Sequence, residues 1–188
     1  MSHPIELVLP AEPAPVRLMN TVWADRAGVH DALTDVDDLR VFLRATGDPD
    51  VGEVTPGDLA AARRLRDALR RLAADVTGDG RPSAATGMGE QAAVRAVNAA
   101  LPRPRLRRTV RGWLLGIDEG GVGAVLAAVA RDGAALVADA ARPLRACHAP
   151  GCVLYFVRDH PRQEWCSVAC GNRARAARHY RRLRSSGG

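Results

Sequence analysis

The chain has 188 residues, 27 basic and 21 acidic, for a formal charge of +6; hydrophobic residues make up 47% and aromatics 4%. This composition is that of a globular, alanine-rich helical protein, long enough for one body and a small appendage. No run approaches 18 uninterrupted apolar residues, and the first residues lack a basic start followed by an apolar core, so a cytoplasmic protein without a membrane partner is predicted.

Charge is unevenly distributed. Residues 141–188 carry ten arginines against Asp159 and Glu164, whereas the preceding 140 residues carry 17 arginines against 19 acids. A near-neutral body with a tail of net charge +8 is the footprint of a nucleic-acid contact. All 27 basic residues are arginine, which a GC-rich coding sequence explains without invoking guanidinium chemistry.

Residues 1–15 contain four prolines and little periodicity, and read as a tail or edge segment. A first helix is expected to begin within Val16–Trp23, with Asn20 and Thr21 capping or cross-linking neighbouring helices. Thr34 and Asp37 have capping-box spacing and open a helix that places Val36, Leu39, Phe42 and Leu43 on one face, ended by Gly47 with Pro49 in the following loop. Thr55-Pro56, with Asp58 in the first turn, starts another. Its apolar stripe is Leu59, Ala62, Leu65, Leu69, Leu72 and Val76. Arg63, Arg64, Arg66, Arg70 and Arg71 lie mostly off it, read as a solvated face paired with Asp67 and Asp75 in preference to an extension of a nucleic-acid surface. Residues 78–89 read as the most flexible interior loop. A helix over Glu90–Leu101 is stopped by Pro102 and Pro104. Residues 105–118 read as one or two short strands bending at Gly112. The Ala/Val/Leu-rich stretch Val122–Ala141 is apolar on most sides and is predicted to be the most buried helix, interrupted at Asp132-Gly133 and closed by Pro143.

The last segment holds all four cysteines, Cys147, Cys152, Cys166 and Cys170, in two pairs separated by 13 residues. Four thiolates brought together make a closed tetrahedral cage suited to Zn²⁺, with no position left for substrate, so the site is predicted to be structural and its metal to contribute to folding. Two disulfides are the competing reading, disfavoured because nothing suggests secretion. Pro150-Gly151 allows a tight reversal between the first pair. Val153–Val157 alternates as a strand, with Tyr155 and Phe156 placed to cover the site, and Asp159-His160-Pro161 turns the chain back. Cys166 and Cys170, spaced i, i+4, open a helix capped by Ser167. On that helix Ala176, Tyr180 and Leu183 are expected to pack inward, while Arg175, Arg178, Arg181 and Arg182 form a basic stripe. Asn172 and Arg173 suit base or phosphate contacts, but equally suit hydrogen bonds that fix the knuckle. With four cysteines present, His148, His160 and His179 are not expected to be ligands.

The segment CSVACGNR at Cys166–Arg173, followed by ARAARHYRR and preceded by LRAC, Tyr155-Phe156 and Trp165-Cys166, resembles the CGNR zinc finger, a bacterial C-terminal module, from about Leu144 to Arg182. Upstream, LMNTVWADR at Leu18–Arg26, LTDVDDLRVFLRATG and the Arg/Leu-rich helix resemble ABATE, a helical domain ascribed to stress-induced transcription regulators. The resemblance implies a helical domain over residues 1–142 and a finger over 143–188. The fold expected is mainly α, with a small β-hairpin in the body and a treble-clef or ribbon-like finger at the end.

The function expected is that of a DNA-binding transcription regulator whose arginine-rich helix contacts duplex DNA. The body would sense a small-molecule effector or mediate homodimerisation, which would supply a second half-site. The alternative is a protein- or RNA-binding module in which zinc supports a docking surface. No nucleophile–base pair, open metal site, glycine-rich phosphate loop or carboxylate dyad stands out, so an enzyme is not expected.

Overall fold

The computed structural model describes residues 11–46, 51–82, 86–116, 120–139 and 144–185. Its elements run α1 (Ala14–Met19), β1 (Val22–Ala24), β2 (Val29–Asp31), α2 (Val36–Ala45), α3 (Pro56–Thr77) and α4 (Glu90–Ala100). Then come β3 (Arg105–Thr109), β4 (Gly112–Gly116), α5 (Gly121–Ala138), β5 (Leu144–Ala146), β6 (Tyr155–Val157) and α6 (Val168–Ser185). The protein is mainly helical, and the strands pair as three antiparallel hairpins, β1–β2, β3–β4 and β5–β6.

The 22-residue α3 is the axis of the body. Its start is over-determined: Thr55 caps the backbone of Asp58, the Asp58 carboxylate answers the Thr55 N–H, and Pro56 presets the first turn. Gly78, in the left-handed conformation with φ 64°, ends it. Ala62, Leu65 and Leu69 of α3 are buried with Leu39, Phe42 and Leu43 of α2, Val97 of α4, and Leu126, Val129 and Leu136 of α5. Each such leucine contributes about 1.5–3 kcal/mol by leaving water. Of the stripe expected on α3, Leu72 is only partly buried and Val76 is 48% exposed, because the helix runs past the body's edge.

Several local expectations change. The first helix stops at Met19, and Val22 and Trp23 instead enter a hairpin with Asp31 and His30 as partners. The sequence signal was the turn: the Asp25 side chain accepts from the N–H groups of Ala27 and Gly28, and Gly28 has φ 138°. The capping box of α2 sits one residue later than its spacing suggested, on Asp35 and Asp38, and Thr34 donates to Asp38 instead of capping. The stop expected at Gly47 and Pro49 lies outside the described residues, as do Asp118 and Pro143. On α3, Arg66 and Arg70 are buried, not solvated. Arg66 bonds Asp31 and Asp67, and Arg70 reaches carbonyls in two other segments, so each guanidinium enters the core with its partners.

Helix α5 buries one face, with Ala130 on it and most of its other alanines off it, and Asp132-Gly133 does not interrupt it. By length and composition it is the one helix among the described residues apolar enough to cross a membrane, and a third of it is buried in this core. Gly133 lets α5 lie against α3: a Cβ there would sit 2.6 Å from Leu69 Cδ2 and 3.3 Å from Pro15 Cβ. Gly133→Ala should therefore destabilise the protein by about 1–2 kcal/mol in urea unfolding, overpacking outweighing the gain of about 1 kcal/mol in helix propensity.

Candidate metal centre

β5 and β6 form a short ladder in which Leu144 faces Val157 and Ala146 faces Tyr155. The ladder delivers Cys147 at its end, and Ala149 to Cys152 closes a turn in which Gly151 has φ 73° and the Cys152 N–H donates to Ala149 O. The chain then returns to α6, whose first turn is held by Ser167: its Oγ accepts from Cys170 N at 3.2 Å. Cys166 lies just before the helix and Cys170 within its first turn.

These two turns bring the Sγ atoms of Cys147, Cys152, Cys166 and Cys170 within 4.8 Å of one another, all four side chains being buried. Cys152 and Cys166 sulfurs lie 3.8 Å apart, and those of Cys166 and Cys170 3.5 Å. Both separations are far beyond the roughly 2.05 Å of a disulfide. A tetrahedral ion bonded at about 2.3 Å to each sulfur spaces the sulfurs about 3.8 Å apart, so the cage fits a four-thiolate metal site. Hydrogen bonds with Cys152 and Cys166 hold the Cys147 thiol down, and the same bonds push Cys152 and Cys166 up. Packed this closely, four sulfurs cannot all ionise unless a cation sits among them.

Zn²⁺ with four thiolates is a formal dianion, and the protein surrounds the cage with donors. Arg173 Nη2 lies 3.1 Å from Cys170 Sγ. Arg81 Nη1 donates to the carbonyls of Cys147 (2.7 Å) and Cys152 (2.5 Å). Arg81 is in turn forked by Asp79, at 2.6 Å from both Nε and Nη2, and the Asp79 side chain is fully buried and accepts from Tyr155 Oη at 3.1 Å. Burial alone would raise the Asp79 carboxyl, but the bonds from Arg81 hold it below the usual range.

This network contradicts the flexible loop expected over residues 78–89: Asp79 and Arg81 are among the most constrained side chains, while residues 83–85 lie outside the described ones. Arg70 continues it, donating to Met19 O (2.9 Å) and Val153 O (3.3 Å) beneath the Tyr155 ring. Asn20, capping α1, exchanges two bonds with the Tyr155 backbone (2.8 and 2.9 Å), as a strand partner would. Of the aromatic pair expected to cover the cage, Phe156 does so, whereas Tyr155 faces the body core. Sequence reasoning missed Asp79, Arg81 and Arg70 as supports of the site, because Arg81 and Arg70 reach the cysteine segment across 66 to 83 residues of sequence.

Helix α6 buries Cys170, Gly171 and Ala174. A Cβ on Gly171 would meet Trp165 Cδ1 at 3.2 Å, which explains glycine after the fourth cysteine. The inward face expected of Ala176, Tyr180 and Leu183 is not formed: Ala176 is exposed, and Tyr180 and Leu183 are 67% and 56% exposed, because the helix projects beyond the finger. Arg175, Arg178, Arg181 and Arg182 are exposed along it, and Asn172 accepts from Arg175. A groove of about 580 Å³ between the first knuckle and α6 is lined by His148, Pro150, Trp165, Ala177, Arg178 and Arg181. None of His148, His160 and His179 belongs to the metal cluster.

Comparison with protein families agrees with this geometry. The ABATE family, described as "Putative stress-induced transcription regulator", matches residues 12–140, and the CGNR zinc finger matches residues 143–183. No curated protein matches the chain. The chain belongs to the ABATE family and carries a CGNR zinc finger as its C-terminal module.

Proposed function

We propose that this protein is a zinc-dependent regulator that binds duplex DNA through α6. The observation that carries the reading is the exposed row of Arg175, Arg178, Arg181 and Arg182 on a helix that projects from the body, its root clamped by the cysteine cage. Soft thiolates in a closed tetrahedral set favour Zn²⁺, whose role is to fix the direction of α6. A helix is the right width for the major groove, and its arginines neutralise phosphates. Asn172 is exposed near the start of the helix, where its amide, which accepts from Arg175, suits a base edge, while Arg173 donates to the Cys170 sulfur. The family description points to transcriptional control under stress.

The test is a salt titration of binding to random duplex DNA. Each phosphate contact contributes about 0.9 to the slope of log affinity against log salt, so Arg175/Arg178/Arg182→Ala should reduce the slope by about 2–3. An unchanged slope sinks the reading. The exposed Tyr180 and Leu183 favour a second one, a protein-docking helix supported by the metal. On that reading the arginine variant keeps its function, and Tyr180→Ala with Leu183→Ala loses it.

A further inference from the structure

The β3–β4 hairpin is a second unusual surface. Every residue of β3 is exposed, and in β4 Trp113, Leu114 and Leu115 are 66%, 49% and 68% exposed. Val110, at the tip, is fully exposed. An isolated two-stranded ribbon is marginal in water, and apolar side chains of this size are not normally left uncovered. Register places Leu106 with Leu115 and Arg108 with Trp113 on one face, where the Arg108 guanidinium lies 5.3 Å from the Trp113 ring. Arg105, Arg107 and Leu114 share the other. Arg103, Arg105, Arg107, Arg108 and Arg111 are all exposed, and residues 102–116 contain no acid; Asp118 and Glu119 follow in sequence.

Three kinds of partner can cover such a ribbon, and charge separates them. A second copy would bring the same arginines together across a two-fold axis, a like-charge cost. A lipid surface wants apolar residues at the tip and cations behind them. Here the tip half holds Arg107, Arg108 and Arg111 among Val110 and Trp113, with the Leu106–Leu115 pair nearer the base, so no apolar tip stands clear of the cations. A duplex wants the arrangement present: cations reaching phosphates, on a two-stranded ribbon that fits a groove, with apolar side chains against sugars and base edges.

We propose that the β3–β4 ribbon is a second duplex-contacting surface, with Arg107, Arg108 and Arg111 reaching phosphates from its two faces and its tip, and Trp113 beside Arg108. The inference rests on the nucleic-acid reading of α6 but concerns a separate element. The ribbon's base, at Arg105, adjoins Asp58, Ala61 and Leu65 in the first half of α3, whereas the metal centre attaches through Asp79 and Arg81 beyond its other end. Residues 58 and 79 are separated by about 30 Å of helix axis and turn, so the two surfaces should contribute additively.

The experiment compares salt slopes on random duplex DNA for the zinc-loaded wild type, Arg107/Arg108/Arg111→Ala, the same three positions changed to lysine, and the α6 variant Arg175/Arg178/Arg182→Ala. The alanine ribbon variant should lose about 2–3 from the slope and bind at least tenfold more weakly at moderate salt, and the lysine variant should regain the slope, which excludes a folding defect. A wild-type slope in the alanine ribbon variant, beside a reduced slope in the α6 variant, overturns the ribbon and leaves the α6 reading standing. Duplex binding unchanged while sedimentation with phosphatidylserine vesicles is lost also overturns it, in favour of lipid. Absence of duplex binding by the wild type at low salt overturns both readings.

Discussion

Removing the metal is expected to destabilise the whole chain and not the finger alone. Leu144, Ala146 and Tyr155 from the finger's hairpin are buried in the body core with Leu69, Val129 and the rest, and Arg70 and Arg81 bond to carbonyls on the cysteine-bearing segment. Structural zinc sites in small fingers contribute about 10–16 kcal/mol, comparable to the roughly 5–15 kcal/mol that holds a whole domain. Without the ion the four thiols cannot all ionise at this spacing, the cage opens, and Arg81, Asp79 and Tyr155 lose their geometry. Chelation or Cys170→Ser should therefore lower the midpoint of helix melting, followed by far-UV circular dichroism, together with Trp165 fluorescence, and abolish duplex binding. A body whose melting is unchanged in Cys170→Ser would show the finger to be an independent unit, which is what the sequence alone suggests.

The second large effect is expected at Asp79. Its buried carboxylate accepts from Arg81 and Tyr155 Oη, so Asp79→Ala leaves a guanidinium and a phenol short of partners beside the cage. Breaking a buried pair in this way costs about 3 kcal/mol or more. Asp79→Asn retains an acceptor for Tyr155 but not the charge, and should cost less. The pH dependence gives an independent check. Because Arg81 holds the folded-state carboxyl below its ordinary range, the contribution is complete above the unfolded aspartate value of about 3.9 and is lost as pH falls through the lower folded value. Wild-type stability should thus fall more steeply with acid below about pH 4 than that of Asp79→Asn, measured by urea midpoints. Equal acid slopes would show that the pair does not act through charge. Metal affinity should fall in both variants, because Arg81 would no longer be held against the Cys147 and Cys152 carbonyls.

The elements that could be read from the sequence are those whose signals are local. Cysteine spacing, the Thr55-Pro56-x-Asp58 start of α3, the prolines after α4 and the turn at Gly112 each act over a few residues, so their consequences survive without knowledge of the fold. The same holds for the arginine stripe on α6, since helical spacing alone puts Arg175, Arg178 and Arg182 on one side. What could not be read depended on partners distant in sequence. Arg70 has the same local pattern as the surface pair Arg71–Asp75, yet it is buried, because Met19 and Val153 supply carbonyls that only folding brings near. Asp79 and Arg81 sit in a glycine-rich stretch that signals mobility, and become rigid because the cysteine turn docks on them.

Conversely, Tyr180 and Leu183 have the spacing of a packed face, but α6 outruns the finger and leaves them 67% and 56% exposed. Composition and short-range spacing by themselves determined that this is a helical protein with a four-cysteine centre and a basic terminal helix. Tertiary structure decided which arginines are buried among acceptors and which lie exposed, and it joined the finger to the body. A buried charge needs several acceptors at once, and acceptors gathered from segments distant in sequence exist only in the folded molecule.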